Sequence, residues 1–545
     1  MLLNKMWVRF TYLPIVTLVC TPWFTYEPFD NSKLLFLGIS AALAIMQLSK
    51  IELGLKNPKS LTVIVSGSFV VAMLIPIFLS GAPFAQQLYG AAGRSLGFLH
   101  YLFLFCVFLG VCCSKNELRF DYFVKALIAT GVFESIYAGI QYMNLDPIGW
   151  DNSSRWIFGT FGNPNFLSAF LGMSACGSLF VRQLNLEKAW RLTGYLNFIF
   201  CVTVILLSNS VQGLFIVFLG IYVALQVTLF HISRILSFLF LCISLTGALV
   251  VSVGVFGKGP LSRVIYQEST AFRGDYWRAG WQMFENNILS GVGLDSYGDN
   301  YRRYRDLVAA NRRGLDIYST SAHNIYIDLA ATGGIFLLGT FILFSSLISY
   351  LMVVNLRRSK FKNPENVLLA ILWIGFQLQL IISINVSSVA IWGFAVAGLI
   401  VYKSRASETR PSDSLVVKGK KPVRVHSVLS LRMISILFIN VSLVAPLLLR
   451  DVQLANAISA ASSIRLQQVA TSWPQSCLYL AKTEEALSDV EYFSDSLSVS
   501  EKSVSLNPKC FDSWRHIYEN PSASNVKKEG AWKKMLELDP NLNQS

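Results

Sequence analysis

The sequence predicts an all-α polytopic membrane protein of about 12–13 transmembrane helices, with one long outer loop and a C-terminal helical repeat-like domain. Three observations carry this. Over 545 residues, 53% are hydrophobic and only 14% charged, with a mean hydropathy of +0.49. Apolar runs near the ~20 residues needed to cross a bilayer recur along the chain. Lysine and arginine gather in alternate connections between those runs.

The runs place spans near 11–25, 34–48, 61–80, 95–113, 121–143, 164–181, 192–207, 212–229, 235–254, 325–353, 366–384, 388–402 and 428–449. Connections 1–10, 49–60, 114–120, 182–191, 230–234, 355–365 and 403–427 hold 22 Lys and Arg. The alternate short set, 24–33, 81–94, 144–163, 208–211 and 385–387, holds three: Lys33, Arg94 and Arg155. Basic loops stay cytoplasmic, so the N-terminus is expected inside and the segments 255–324 and 450–545 outside. The first span is expected to be retained, because no small-residue cleavage site follows it. The net charge of +14 is thus topological rather than a nucleic-acid footprint. The expected organisation is a multispan core over 1–402 with its outer loop at 255–324, a basic cytoplasmic linker at 403–427, a last transmembrane helix at 428–449 and an outer helical domain at 450–545.

Seven of the nine cysteines lie in or beside apolar runs, where thiols act as small hydrophobes. Cys477 and Cys510 lie in the polar tail and are read as free thiols, with pairing the alternative in an oxidising compartment. No CxxC or His/Cys cluster suggests a metal site, and none is expected.

In the tail, Pro474, Pro508 and Pro540 recur at intervals of 34 and 32 residues. A period near 34 with a helix-ending proline is the tetratricopeptide pattern, which would dock a protein partner or brace the outer loop.

The outer loop reads "STAFRGDYWRAGWQMFENNILSGVGLDSYGDNYRRYRDL" and then "NRRGLDIYSTSAHN". Arg273, Trp277, Arg278, Trp281 and Phe284 share helical spacing, which predicts an amphipathic helix at the membrane surface. Gly291, Gly293 and Gly298 predict a tight turn with close backbone approach. The arginines suit phosphate oxygens through their planar fork. The alternative is pairing with nearby carboxylates, preferred for Arg302, Arg303, Arg305, Arg312 and Arg313 and open for Arg273 and Arg278. Earlier, "SSRWIFGTFGNPN" predicts a helix capped by Asn163 with Pro164 in its first turn. Capping does not account for Arg155, which a phosphate partner would.

His323 follows Ser319, Thr320 and Ser321, any of which can cap the coming helix. Tyr326 and Ile327 fall on its side of that helix and Asp328 away from it, so no Asp328 relay is expected. Interfacial packing and proton exchange are both open to this histidine.

The ordered set "RWIFGTFGNPN", "RGDYWRAGWQMFENNILSGVGLDSYG" and "SAHNIYIDLAATGG" resembles the O-antigen ligase superfamily, which includes O-antigen polymerases and bacterial protein O-oligosaccharyltransferases. The resemblance covers roughly residues 30 to 400. It implies a GT-C-type helical fold in the inner membrane of a bacterium and glycan transfer from an undecaprenyl-pyrophosphate carrier at the outer face, without cofactor, metal or nucleotide sugar. It also implies His323 as the base on the acceptor hydroxyl and Arg155, Arg273 and Arg278 as pyrophosphate ligands, with Asn163, Asn165, Asn324 and Tyr326 in support. The chain departs from many relatives at Val211-Gln212, where they carry an arginine, and at Ala331-Thr332, where they carry an acid.

Partners so implied are the lipid-linked glycan, membrane lipids and a glycan, lipid or protein acceptor. A ligase or oligosaccharyltransferase is the first reading, a glycan polymerase the second. A transporter or flippase of lipid-linked sugar, and a membrane anchor for a repeat scaffold, are the non-enzymatic alternatives.

Overall fold

A computed structural model describes residues 7–48, 58–150, 152, 155–255, 268–314, 316–406 and 426–543. Of the expected linker 403–427, residues 407–425 lie outside the described residues, as do 256–267 of the outer loop. Among the described residues there are helices and no strands.

The chain forms α1 Tyr12–Leu18, α2 Asp30–Met46, α3 Pro58–Ala72, α4 Leu74–Leu79, α5 Phe84–Tyr89, α6 Phe98–Cys112, α7 Phe120–Tyr142, α8 Pro164–Leu179, α9 Lys188–Leu207, α10 Val211–Ile232 and α11 Arg234–Val255. The loop expected to face outward contributes α12 Glu268–Asn286, α13 Tyr297–Tyr304 and α14 Leu307–Arg313. Then come α15 Ile325–Arg358, α16 Pro364–Ile382, α17 Ser387–Ala406 and α18 His426–Ser459, and the tail helices α19 Ser463–Thr471, α20 Cys477–Asp489, α21 Phe493–Leu506, α22 Phe511–Glu519 and α23 Asn525–Leu538.

Eight helical segments among the described residues are long and apolar enough to cross a membrane. The protein is a polytopic helical membrane protein. Two expected spans are corrected. The first, 11–25, is a helix of seven residues, about 10 Å long at about 1.5 Å per residue. It ends where Thr21 N–H turns back to the Pro28 carbonyl at 2.8 Å, so the apolar run is folded rather than stretched. The runs 34–48, 95–113 and 164–181 form helices of 17, 15 and 16 residues. These short helices are largely buried among the longer ones.

The core centres on α6 and α17. Phe105 packs its ring against Phe69, Phe344 and Phe394 at 4.8–5.1 Å, joining α3, α6, α15 and α17. Helices α2 and α6 approach so closely that a Cβ on Gly110 would lie 2.6 Å from that of Ala44. Small residues permit such contact where lipid supplies no hydrophobic drive between helices.

The largest correction concerns 325–353, expected as one continuous span. The helix breaks at Gly334, with φ 74° and ψ −169°. A straight helix would put Tyr326 and Phe341 about 22 Å apart, yet their rings lie 5.7 Å apart. Residues 325–333 therefore fold back along the start of the 335–358 helix. Only glycine fits the bend: its φ is left-handed, and an added Cβ would sit 2.4 Å from the Leu289 carbonyl oxygen.

In the tail, Pro474, Pro508 and Pro540 each follow a helix, namely α19, α21 and α23. Cys477 and Cys510 form a disulfide with Cα atoms 5.6 Å apart, correcting the free-thiol reading. The sequence places the two cysteines 33 residues apart; only the packing of α20 beside α22 brings them into reach.

Candidate functional site

The fold-back at Gly334 sets the direction of the helix that follows the His323 turn. Val292 N–H donates to the Ala331 carbonyl at 2.8 Å and Gly293 N–H to that of Thr332 at 3.1 Å. The glycine turn expected from the sequence thus clamps the end of the 325–333 helix. A Cβ on Gly291, itself at φ 60°, would lie 2.4 Å from the Thr332 carbonyl carbon.

At the other end of that helix, Asn324 is the cap, accepting from Tyr326 N–H at 3.0 Å and Ile327 N–H at 3.3 Å. The serines expected to cap are used elsewhere. Ser321 Oγ accepts from His323 N–H at 2.9 Å, and Ser319 Oγ donates to the Ser321 carbonyl at 2.7 Å. His323 itself adopts φ 51°, a left-handed conformation that costs about 1–2 kcal/mol for a residue with a side chain. Asp328 Oδ1 accepts from Ala322 N–H at 2.8 Å, so this carboxylate braces the strained turn through the backbone.

The half-buried imidazole of His323 lies on the Tyr276 ring, with centroids 5.5 Å apart and planes 29° apart. Tyr276 is fixed in turn by α13. Tyr297 Oη donates to its carbonyl at 2.6 Å, and the Tyr301 ring meets it edge-on at 5.7 Å. The buried face of α12 is Tyr276, Ala279 and Met283. Of the residues expected on the membrane-surface face, Trp277 packs against this cluster, while Trp281 is half exposed, its Nε1 donating to Glu285 at 2.7 Å. Tyr276 lies three residues after Arg273, a spacing that marks it as a neighbour on the same helix side. That signal was present in "RGDYW".

Arg273 is one turn from Tyr276 on α12 and half buried. Among the described residues no carboxylate pairs with it. Burial holds its guanidinium below the usual arginine range, which leaves it charged. Arg278 differs. Its Nη2 lies 2.6 Å from Asp275 and its Nε 2.9 Å from Asp306. Asp275 also receives Arg312 at 2.6 Å. Two carboxylates therefore already occupy the Arg278 fork proposed for pyrophosphate.

Arg155 stands elsewhere. Its turn is held from below: Thr160 N–H and Oγ1 donate to buried Glu134 at 3.1 and 2.5 Å, Lys33 Nζ donates to the Thr160 carbonyl at 2.6 Å, and Gln141 Oε1 accepts from Phe158 and Gly159 N–H. Asn163 caps α8, accepting from Asn165 N–H at 2.8 Å, with Pro164 in the first turn. The Asn165 side chain accepts from Ser210 Oγ at 2.9 Å, tying this turn to the α9–α10 connection. Arg155, Trp156, Asn163, Asn165, Asn209 and Ser210 line an open cavity of about 400 Å³. Among the described residues Arg155 has no ion-pair partner, and none of the residues lining this cavity belongs to α12 or to the His323 turn.

Tyr326, on the far side of the cap, donates its hydroxyl to Gln377 Oε1 at 2.6 Å. It thereby anchors the folded-back helix to α16. Glu134, Gln141 and Lys33 were not singled out as functional from the sequence, because a buried carboxylate and lysine in apolar runs become meaningful only when the turn they hold is seen. Among the described residues no three His, Cys, Asp or Glu side chains converge as metal ligands.

Residues 196–344 match the family model described as O-Antigen ligase; this stretch contains Arg273, Arg278 and His323 and excludes Arg155. No curated protein matches the chain. With its multi-helix apolar architecture and this domain over 196–344, the chain fits the O-antigen ligase superfamily, whose members are membrane glycosyltransferases of ligase or polymerase type.

Proposed function

We propose that this protein moves a glycan from an undecaprenyl-pyrophosphate carrier to an acceptor hydroxyl at the outer face of the cytoplasmic membrane. One observation carries the reading: Arg273, a half-buried guanidinium unclaimed by any described carboxylate, lies one helical turn from the Tyr276 ring on which His323 rests.

Transfer breaks the bond between the anomeric carbon and the pyrophosphate oxygen, which leaves with the electron pair. The acceptor oxygen forms the new bond, and its proton goes to a base. Arg273 offers fixed positive charge to the leaving group and His323 a nitrogen that exchanges protons near neutral pH. Asp328 serves this base only by bracing its turn. The Arg155 cavity is a second anion site, suited to the carrier before or after transfer. Arg278 maintains the α12–α14 contact through Asp275 and Asp306 rather than holding donor.

The outward placement of loop and tail is supported by the 22 to 3 division of basic residues and by the Cys477–Cys510 disulfide, which suits an oxidising compartment. The tetratricopeptide-like reading of the tail is supported by the spacing of its helix-ending prolines.

The test uses the purified chain in proteoliposomes with a lipid-pyrophosphate glycan. His323→Ala is expected to lower transfer by about 10²–10⁴-fold with donor binding kept; full transfer by that variant overturns the base assignment. Arg273→Ala is expected to weaken donor binding, and unchanged affinity removes its role. Donor crossing the bilayer without glycosylated product would favour a transporter.

A further inference from the structure

Arg94, one of three basic residues in the short outer connections, has no part in the reading above. We infer that the cleft beside it is a saccharide subsite built jointly by the membrane core, the outer loop and the C-terminal domain, and that it holds a neutral or amino sugar of the acceptor. This rests on the glycosyl-transfer reading of His323.

The first support is unspent hydrogen-bonding capacity. Arg94 Nη2 meets Asp295 Oδ1 at 2.5 Å, while its Nε and Nη1 are buried and without a partner. Buried donors left unmade are costly, so a native structure places them where something completes them. Asp295 is fully used: its Oδ2 also accepts from Ala91 and Leu96 N–H at 2.7 and 3.3 Å. It orients the arginine without offering itself to a ligand.

Space is the second. Arg94 stands between two cavities. One, of about 60 Å³, is lined by Asp295, Asp299, Tyr318, Ser476 and Asp512 as well as Arg94. The other, of about 30 Å³, is reached by Asp328 and by the buried Asn385. Both cavities border the segment that carries His323, the first through Thr320 and the second through Ile325. At about 10–15 Å³ of such space per water, the first holds roughly four to six waters. That suits the hydroxyl edge of a pyranose ring and is too small for a polypeptide.

Chemistry identifies the occupant. Arg94 is paired with Asp295 and Arg515 with Asp512, and Asp299 adds a further carboxylate to the lining, so a phosphate meets no free cation here, in contrast to Arg273. A sugar hydroxyl both donates and accepts, matching guanidinium N–H groups on one side and carboxylate oxygens on the other. Asp299 uses Oδ2 for Gln86 and Asn507, at 3.1 and 2.9 Å, and Asp512 Oδ1 accepts from Arg515 at 3.3 Å. Each keeps acceptor capacity for a hydroxyl. Ser476 and Asp512 come from the tail, so the tail takes part in choosing the acceptor.

The experiment uses the full chain in nanodiscs with D-glucose, D-galactose and D-glucosamine as probes, followed by saturation-transfer NMR, and inorganic pyrophosphate as the anionic control, followed by its 31P line broadening. At least one sugar is expected to bind, and Asp512→Ala to weaken it about tenfold, the loss of one charge-assisted hydrogen bond. Asp512→Asn, which keeps an acceptor oxygen, should retain part of the affinity. Pyrophosphate binding should be unchanged by Asp512→Ala and lost in Arg273→Ala. In the transfer assay Asp512→Ala should raise the acceptor KM more than it lowers kcat. Absence of sugar binding, or equal binding by wild type and Asp512→Ala, overturns the inference. If His323→Ala transfers normally, the glycosyl-transfer reading fails instead; if His323→Ala is inactive and the Asp512→Ala KM is unchanged, only the subsite fails. Because Asp512 is at the cleft rim, its variants should melt with the wild type, whereas Asp299→Ala, which also unties Gln86 and Asn507, serves as a second reading.

Discussion

Asp539, six residues from the end of the sequence, lies 2.5 Å from Nη2 of Arg305 with both side chains buried. Asn541 Nδ2 reinforces the contact by donating to the Arg305 carbonyl at 3.0 Å. Arg302, one turn earlier, lies over Phe511 at 4.2 Å and Tyr318 at 5.1 Å. The tail thus grips α13, the helix whose Tyr297 and Tyr301 hold Tyr276 against His323. Removing one partner of a buried pair leaves an uncompensated charge, at about 3–5 kcal/mol. Asp539→Ala is expected to lower the melting temperature and open 297–314 to protease. Arg305→Met with Asp539→Leu should be less damaging than either single change, and a double-mutant cycle on melting temperature checks this.

Gly334→Ala would need a left-handed φ and would press a Cβ into the Leu289 carbonyl. We expect a loss of at least about 2 kcal/mol and of transfer activity. Thermal unfolding in detergent measures the first. Stability equal to wild type would mean that the helix does not reverse there.

Tyr276 acts on His323 through its ring. Tyr276→Phe keeps the ring and should keep most transfer; Tyr276→Ala frees the imidazole and should lower kcat by roughly tenfold or more, since small misplacements of catalytic groups are expensive. The ratio of the two variants' kcat values is the readout.

Glu484 is wholly buried in the tail, with Oε1 accepting from Ser513 Oγ at 2.8 Å and Oε2 unpartnered. Burial pushes its carboxyl up to about 8. The folded tail therefore holds a proton that the unfolded chain releases near pH 4–5, and stability falls as pH rises through that window toward 8. Glu484→Gln should remove this dependence, raising the melting temperature at pH 8 more than at pH 5. An equal rise at both pH values would contradict the assignment.

Much of the candidate site's local structure was legible in the sequence. The Asn163-Pro164 cap, the close-packed glycine turn near 291 and the arginine-rich character of the loop follow from residue-level rules, because caps and tight turns are decided by neighbours in sequence. The failures were of a different kind. Tyr276 went unmarked on α12, since helical spacing alone does not reveal which side a neighbour covers. Arg278 read like Arg273 until Asp306, 28 residues away, was found on it.

The sequence by itself determined that the chain is helical and membrane-bound and which family it resembles; these depend on composition and short-range period, which the backbone and bilayer read directly. Only the tertiary structure decided that 325–358 reverses at Gly334, that Arg273 meets no carboxylate among the described residues while Arg278 meets two, that Arg155 lines a separate cavity, and that Asp539 and Asp512 reach the 268–324 loop. Each of these depends on long-range contact, and the charge on a guanidinium or the strain in a turn acquires its meaning from the groups that packing brings beside it.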